Sequence, residues 1–402
     1  MSSTYPDFRS PDFLKQHIMD TVNFYVPQCR DDEVGGYHHC FFDDGTLCDD
    51  PTRHLVGQSR FVYVFSTAAM LSDDPVYREL AEHGLRFLQE YQRDQQHGGY
   101  YWILENHQVQ DSSKQLYGHA FALLAAATTH QAGIPMAADM LADIYTVLEQ
   151  HFWREEDGIY VDQMSADWQE VSSYRGQNGN MHTCEAMMAA YEATGESHYL
   201  DRAYSIARKV MFDLLPQSGD LIWEHYDQNW QIDWTFNYKD TSDEIRPYGH
   251  ILGHSIEWSK LLLRLEQHRP ESWMYPCAVN LFTHAADKAA DPEHGGLYYI
   301  MDTDGEMIAP DKLYWVMTEG LGAAAILSAR TPDDPSVYLE FYDRLFAYCW
   351  DHLIDREHGG WYQQLSVDNH KQSNIKSPPP KADYHPVTNC LTAIQSFAGF
   401  ES

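Results

Sequence analysis

A chain of 402 residues with 44% hydrophobic side chains has ample material for a core, and its formal net charge of −33 at pH 7, from 60 acidic against 27 basic residues, repels phosphate backbones and anionic lipid headgroups. Nucleic acid and membrane partners are therefore set aside, and the charge is read as a solvated surface. Seven cysteines, at 29, 40, 48, 184, 277, 349 and 390 with no CxxC pair, argue against a disulfide framework and a zinc ribbon and are read as reduced thiols.

The N-terminal stretch MSSTYPDFRSPDFLKQ has no cationic start followed by an apolar run, so it does not read as a secretory signal, and a cytoplasmic location is expected. No run approaches the roughly 18 apolar residues of a membrane span. DFLKQHIMDTVNFYV reads as a first helix, and DDEVGGYHHCF follows as a turn carrying Gly35-Gly36. That turn returns at Gly98-Gly99, Gly158, Gly219, Gly295-Gly296 and Gly359-Gly360, about every 60 residues, the fourth interval being longer.

Between the turns two kinds of helix alternate. The segments YRELAEHGLRFLQEY from Tyr77, AADMLADIYTVLEQHF from Ala137, HYLDRAYSIARKVMFDLL from His198 and SVYLEFYDRLFAYCWDHL from Ser336 place apolar residues at i, i+3, i+4 and i+7 and read as amphipathic. The segments FVYVFSTAAML, LYGHAFALLAAATTH, NMHTCEAMMAAYEA, GHILGHSIEWSKLLLRL, VMTEGLGAAAILSA and HPVTNCLTAIQSFA are apolar or small on nearly every face, which implies burial on both sides. With the first helix and another from Ser272 to Ala289 they make about twelve helices. The expected fold is all-α, a single (α/α)6 barrel over residues 1–402. Glycine turns and alternating aromatics would form short β-hairpin-like segments at its mouth. Two stretches depart from the period, residues 223–250 and the proline-rich 372–386, and loops of such length are often functional.

Polar residues recur in the otherwise apolar helices: Arg60, His119, His182, Glu185, His250, His254, Glu257 and Glu319, with His385 at the head of the last. A charge is expensive to bury without a partner or a purpose, so these point to a polar pocket in the ring. In GHILGHSIEW, His250, His254 and Glu257 fall on one helical face. A metal site there, even with HHC at 38–40, lacks an HExxH pattern and further ligands. Acid-base work suits the imidazoles better, with Glu257 fixing the tautomer of His254. Tyr117, Trp315, Trp361 and Tyr384 suit the apolar faces of a pyranose, and Asn178, Gln364 and Arg60 its hydroxyls. No glycine-rich nucleotide loop is present.

SRFVYVFS at 59–66, LYGHAFALLA at 116–125, MHTCEAMMAAY at 181–191, GHSIEWSKLL at 253–262, YWVMTEGLGA at 314–323 and KADYHPVTNCL at 381–391 together resemble the N-acylglucosamine 2-epimerase superfamily. That group also holds cellobiose 2-epimerases, sulfoquinovose isomerase and mannose isomerases. The resemblance implies proton transfer at C2 of a free sugar without metal or other cofactor. It makes His254 and His385 the catalytic pair with Glu257 in support, and assigns Arg60, Tyr117, Asn178, His182, Trp315, Glu319 and Gln364 to substrate binding. Epimerase members usually carry Arg three residues after the last catalytic His. Thr388 stands there in this sequence, which favours the isomerase branch, and the acidity of the chain favours mannose over an anionic sugar. The expectation is an aldose-ketose isomerase acting on D-mannose and D-fructose, with D-lyxose and D-xylulose as a further pair, in a monomer or homodimer. A sugar 2-epimerase is the alternative. A glycoside hydrolase built on Glu257 and Glu319, or a non-catalytic sugar-binding protein, would belong to other classes.

Overall fold

Where apolar residues recur three and four apart, one stripe of the helix is buried and the rest is wet. Helix α3 (Pro75–Phe87) buries Tyr77, Leu80, Ala81, Gly84 and Leu85, and α7 (Ser197–Lys209) buries Tyr199, Leu200, Ala203, Ile206 and Ala207. The apolar segments instead vanish from solvent all round: every residue of Tyr314–Ser328 in α11 (Tyr314–Arg330) is buried. The computed structural model describes residues 5–331 and 333–398. In it α1 (Pro11–Asn23), α3, α5 (Ala137–Val147), α7, α10 (Met274–Ala289) and α12 (Ser336–His352) form an outer ring. The inner ring is α2 (Leu55–Leu71), α4 (Leu116–Gln131), α6 (Gln177–Thr194), α9 (Leu252–His268), α11 and α13 (Tyr384–Ala398). Only the single turn α8 (Leu215–Ser218) stands outside this alternation among the described helices. Successive inner helices pack on one another, and α13 returns to α2. These are the expected twelve helices of an (α/α)6 arrangement.

Short antiparallel ladders crown one end. The residues just before α2, Thr52–His54, pair with 103–105 beyond the next outer helix, and equivalent pairs precede α4, α6, α9 and α11. The sixth closes the circle, because Ile375–Lys376 pairs with Phe41–Phe42. The ladders are separate and form no closed β-barrel.

The recurrent acidic turn has a physical purpose beyond the glycines. Asp94 accepts the backbone N–H groups of Gln96 and His97 at 2.9 and 3.0 Å and takes the buried Lys114 ammonium at 2.7 Å. Asp291 with Lys312 and Asp355 with Lys376 repeat the device, and Asp31 repeats it with Arg53. Each cation stands in or beside a ladder strand that leads to the next inner helix, so the ion pair ties turn to ladder. Gly99 shows why glycine is needed: its φ is +66°, and a Cβ there would meet Trp168 at 2.7 Å and His119 at 2.9 Å.

One boundary departs from the sequence expectation. His250 lies in a ladder strand opposite Met301, ahead of α9, and its Nδ1 contacts the Ile222 carbonyl at 3.0 Å. It therefore does not share a helical face with His254 and Glu257. The long segment 223–250 imposes this, because its return to the ladder uses the residues that the helical pattern claimed.

Candidate active site

The inner helices all begin at the ladder end, so their positive dipole ends converge there. Tyr117, Asn178, His254, Trp315 and His385 stand in the first turns of α4, α6, α9, α11 and α13. Arg60, His182, Glu257, Glu319 and Asn389 lie about one turn deeper in α2, α6, α9, α11 and α13. A small cavity sits over the two tiers, lined by Arg60, Tyr117, Asn178, His182, Glu244, Ile245, Ile251, His254, Tyr299, Trp315, Lys381 and His385. A wider outer cavity shares Tyr117, Asn178 and Ile245 with it. The 223–250 segment separates the two, pinned by Arg246, which lies 4.2 Å over the Tyr174 ring and donates to Gln115 at 3.2 Å.

Two imidazoles face this space with Trp315 between them, its ring centroid 5.1 Å from that of His254 and 5.5 Å from that of His385. His385 Nδ1 lies 2.7 Å from Glu319 Oε1. A carboxylate only accepts, so Nδ1 carries the proton and Nε2 keeps its lone pair. Burial holds the His385 pKa well below the usual imidazole value, and Arg60, His182, Lys260 and Lys381 push in the same direction. Glu319 is itself held by the Lys260 ammonium and by Asn389 Nδ2 at 2.7 Å, while Lys260 also donates to Asn389 Oδ1 at 3.0 Å.

His254 is anchored differently from the sequence expectation. Its Nδ1 meets Glu224 Oε1 at 3.0 Å, and Gln177 Nε2, 3.2 Å from that nitrogen, donates to the other Glu224 oxygen at 2.7 Å. Glu257, expected to support His254, turns toward the deeper tier, and neither of its oxygens has a hydrogen-bond partner among the described residues. Burial raises its pKa well above the carboxylate range, reinforced by the charge of Glu319. It lies 3.9 Å from His182 Nδ1. His182 in turn contacts Glu185 at 3.3 Å, and Glu185 also accepts from the Tyr384 hydroxyl.

Arg60 Nη2 donates to the Tyr117 hydroxyl at 3.1 Å, and its guanidinium lies 4.3 Å over the Phe121 ring. Asn178 donates to the Ile245 carbonyl at 3.3 Å, and its own side-chain oxygen has no partner among the described residues. Thus Arg60, Tyr117, Asn178, His182, His254, Trp315 and His385 meet in one cavity, with Glu257 and Glu319 beneath. Gln364 does not join them: it sits in a ladder strand and donates to Asp311 at 2.8 Å. Trp361 is in the core against His17, and His119 is structural, bridging the Gln115 carbonyl and the Tyr100 N–H.

Sequence reasoning missed Glu224, Gln177, Lys260, Asn389, Lys381 and Glu244. Lys260 carried the same signal as Glu257, a charge amid WSKLLL; Glu224 and Glu244 lie in an aperiodic insertion that offers no such contrast. As for cations, His182, Glu185 and Glu257 form one close group and Glu257, Glu319 and His385 another. The Lys260 ammonium already supplies positive charge to Glu319 in the second.

A family model described as N-acylglucosamine 2-epimerase matches residues 35–389. A D-mannose isomerase of Marinomonas mediterranea is 41% identical over 98% of this chain and 99% of its own. One of Thermobifida fusca is 35% identical over 82% and 79%. A crystal structure of D-mannose isomerase superposes with a TM-score of 0.94 at 41% identity, covering 98% of this chain and all of that one. With the sixfold ring, the paired imidazoles and a family match over most of its length, this chain belongs to the N-acylglucosamine 2-epimerase family.

Proposed function

We propose that this protein is an aldose-ketose isomerase that interconverts D-mannose and D-fructose. The observation that carries the reading is the pair His254 and His385, each with Nδ1 bound to its own carboxylate and both facing one polar, aromatic-lined cavity. The D-mannose isomerases similar over nearly the whole chain supply the substrate. His254 opens the pyranose by taking the O1 proton on Nε2 and returning it to the ring oxygen, as the C1=O1 bond forms and the C1–O5 bond breaks. His385 then takes the C2 proton through Nε2. The electron pair left on C2 forms the C1=C2 bond of a cis-enediolate while the carbonyl pair moves onto O1, where Arg60 and the inner helix dipoles stabilise it. Return of a proton to C1, with the O2 proton passing to O1 as the C2=O2 bond forms, gives the ketose. Glu319, backed by Lys260, keeps His385 in its basic tautomer.

Two imidazoles flanking one plane are also what C2 epimerisation needs, so the products decide. D-mannose in deuterated water should give fructose as the dominant early product, with glucose slight. Glucose forming first would make the enzyme a 2-epimerase, and unchanged mannose would remove the catalytic reading for this sugar.

A further inference from the structure

Four lysines are fully buried, and each has a carboxylate in contact: Lys114 with Asp94, Lys260 with Glu319, Lys312 with Asp291 and Lys376 with Asp355. Lys381 is different. It lines the sugar cavity beside Arg60 and His385, and no described carboxylate is within ion-pair distance of it. Its backbone is fixed from two sides: His39 Nδ1 contacts the Lys381 carbonyl at 3.1 Å, and the Tyr314 hydroxyl donates to the Ala382 carbonyl at 3.3 Å. A fold that partners its buried ammonium groups, and braces this partly buried one at the cavity without an ion-pair partner among the described residues, presents a positive charge to whatever enters. Arg60 supplies a second, but part of its donor set is spent on Tyr117.

Resting on the isomerase reading above, the geometry points to Lys381 as a further catalytic residue, whose ammonium donates to the enediolate oxygen as charge develops there. The balance is simple. The C2 proton passes to His385 Nε2, the C–H pair becomes the C1=C2 bond, and the carbonyl pair becomes the O1 lone pair that Lys381 and Arg60 stabilise. When C1 is protonated, the O2 proton passes to O1 as the C2=O2 bond forms, the charge is withdrawn and Lys381 is unchanged. An aldose carries no such charge, so the interaction strengthens on the way to the transition state.

The charged groups around Lys381 bear on its titration. Burial lowers its pKa to about 8, Arg60 adds to that, and Glu244 on the 223–250 segment opposes it. His54 and His385 also sense the ammonium. The ammonium form is the active one, so activity should decline as pH rises through about 8.

The test compares the wild type with Lys381→Met and Lys381→Arg on D-mannose from pH 6 to 10. It includes binding of arabinonohydroxamate, an anionic enediolate-like probe, and of mannitol, a neutral polyol. Wild-type fructose formation is measured first. If it is absent, the isomerase reading fails and takes this proposal with it. Given an active wild type, Lys381→Met should lose roughly 100-fold or more in kcat with KM changed by less than about threefold. It should also bind hydroxamate more weakly, keep its mannitol affinity and lack the alkaline decline. Lys381→Arg should stay charged and move the decline beyond about pH 10. That profile decides alone if the Met variant does not fold. A Lys381→Met enzyme with near wild-type kcat, equal loss of mannitol and hydroxamate binding, or an alkaline limb unmoved in Lys381→Arg would overturn the proposal.

Discussion

At the scale of single residues the site is defined by which carboxylate holds which ring. Because Glu319 takes the His385 Nδ1 proton and Glu224 that of His254, the two histidines can be separated experimentally. His385→Ala should abolish isomerisation and C2-proton exchange with solvent, by at least the roughly 100-fold of a lost general base. His254→Ala should suffer most with closed pyranoses and least with sugars richer in open chain. Proton exchange followed by NMR checks both, and near wild-type exchange in His385→Ala would reverse the roles. Glu224→Gln should reproduce the His254 defect, because an amide donor at Nδ1 moves the imidazole proton to Nε2 and blocks the face toward the cavity. A loss on the order of 100-fold in kcat is expected. Full activity in Glu224→Gln would show that this tautomer is not needed.

The same residues show what can be read from one dimension. His254, His385 and Arg60 stood out in sequence because each is a polar exception in an apolar helix. Glu257 was paired with the wrong imidazole because proximity along α9 says nothing of tier: His254 faces the cavity and the 223–250 segment, whereas Glu257 lies deeper, toward His182 and Glu319. The true partner, Glu224, comes from 30 residues upstream through a loop with no period. Gln364 failed for the related reason that a ladder position has two faces, and its amide is turned to Asp311.

At the scale of elements the recurrent turn combines a left-handed glycine pair with an aspartate that caps two N–H groups and binds a buried cation. The glycines and the sixfold recurrence were legible in the sequence, since only backbone conformation and spacing were needed. The Asp–Lys pairing was not, because the lysine arrives some 20 residues later on a strand of two residues, too short to show alternation. The two glycines of one turn should respond differently to substitution. Gly98 has φ of +78° and open space around it, so Gly98→Ala carries only the left-handed backbone penalty of about 1–2 kcal/mol. Gly99→Ala adds collisions with Trp168 and His119 and should exceed it by about 1–3 kcal/mol. Denaturant unfolding of the two variants measures the difference, and equal destabilisation would mean that the neighbours yield freely.

For the molecule as a whole, buried imidazoles dominate the response to mild acid. Burial lowers His17 to about 4 and His39, His54 and His119 to about 3, against about 6.5 when unfolded. The folded chain therefore binds fewer protons than the unfolded one between those values. Stability contributed by keeping these rings neutral is complete above about pH 6.5 and is lost as pH falls toward 3 to 4. The aspartates of the turns, held at about 2 by their lysines and N–H groups despite partial burial, extend the loss only below about pH 4. The melting temperature should thus begin to drop near pH 6.5, before the turn aspartates titrate, although Asp162 and Asp383, raised by burial to about 7 and about 6, take up protons in the fold over this range and offset part of the loss. A melting temperature flat down to pH 5 would contradict this.

The strand pair that joins Ile375–Lys376 to Phe41–Phe42 bears on how the chain is made. An open array of helical hairpins can settle one unit at a time behind the ribosome and needs polar caps on its two ends. A circle has no ends, and its closing seam waits for residues synthesised more than three hundred positions after their partner. Until α13 emerges, α2 lacks one neighbour and His385 is absent from the site, so the apolar flank of the first hairpin is open to chaperones. The same seam offers a route for protein engineering: a chain re-cut at another inter-repeat turn, with old ends joined, would keep every lateral contact and change only which joint forms last.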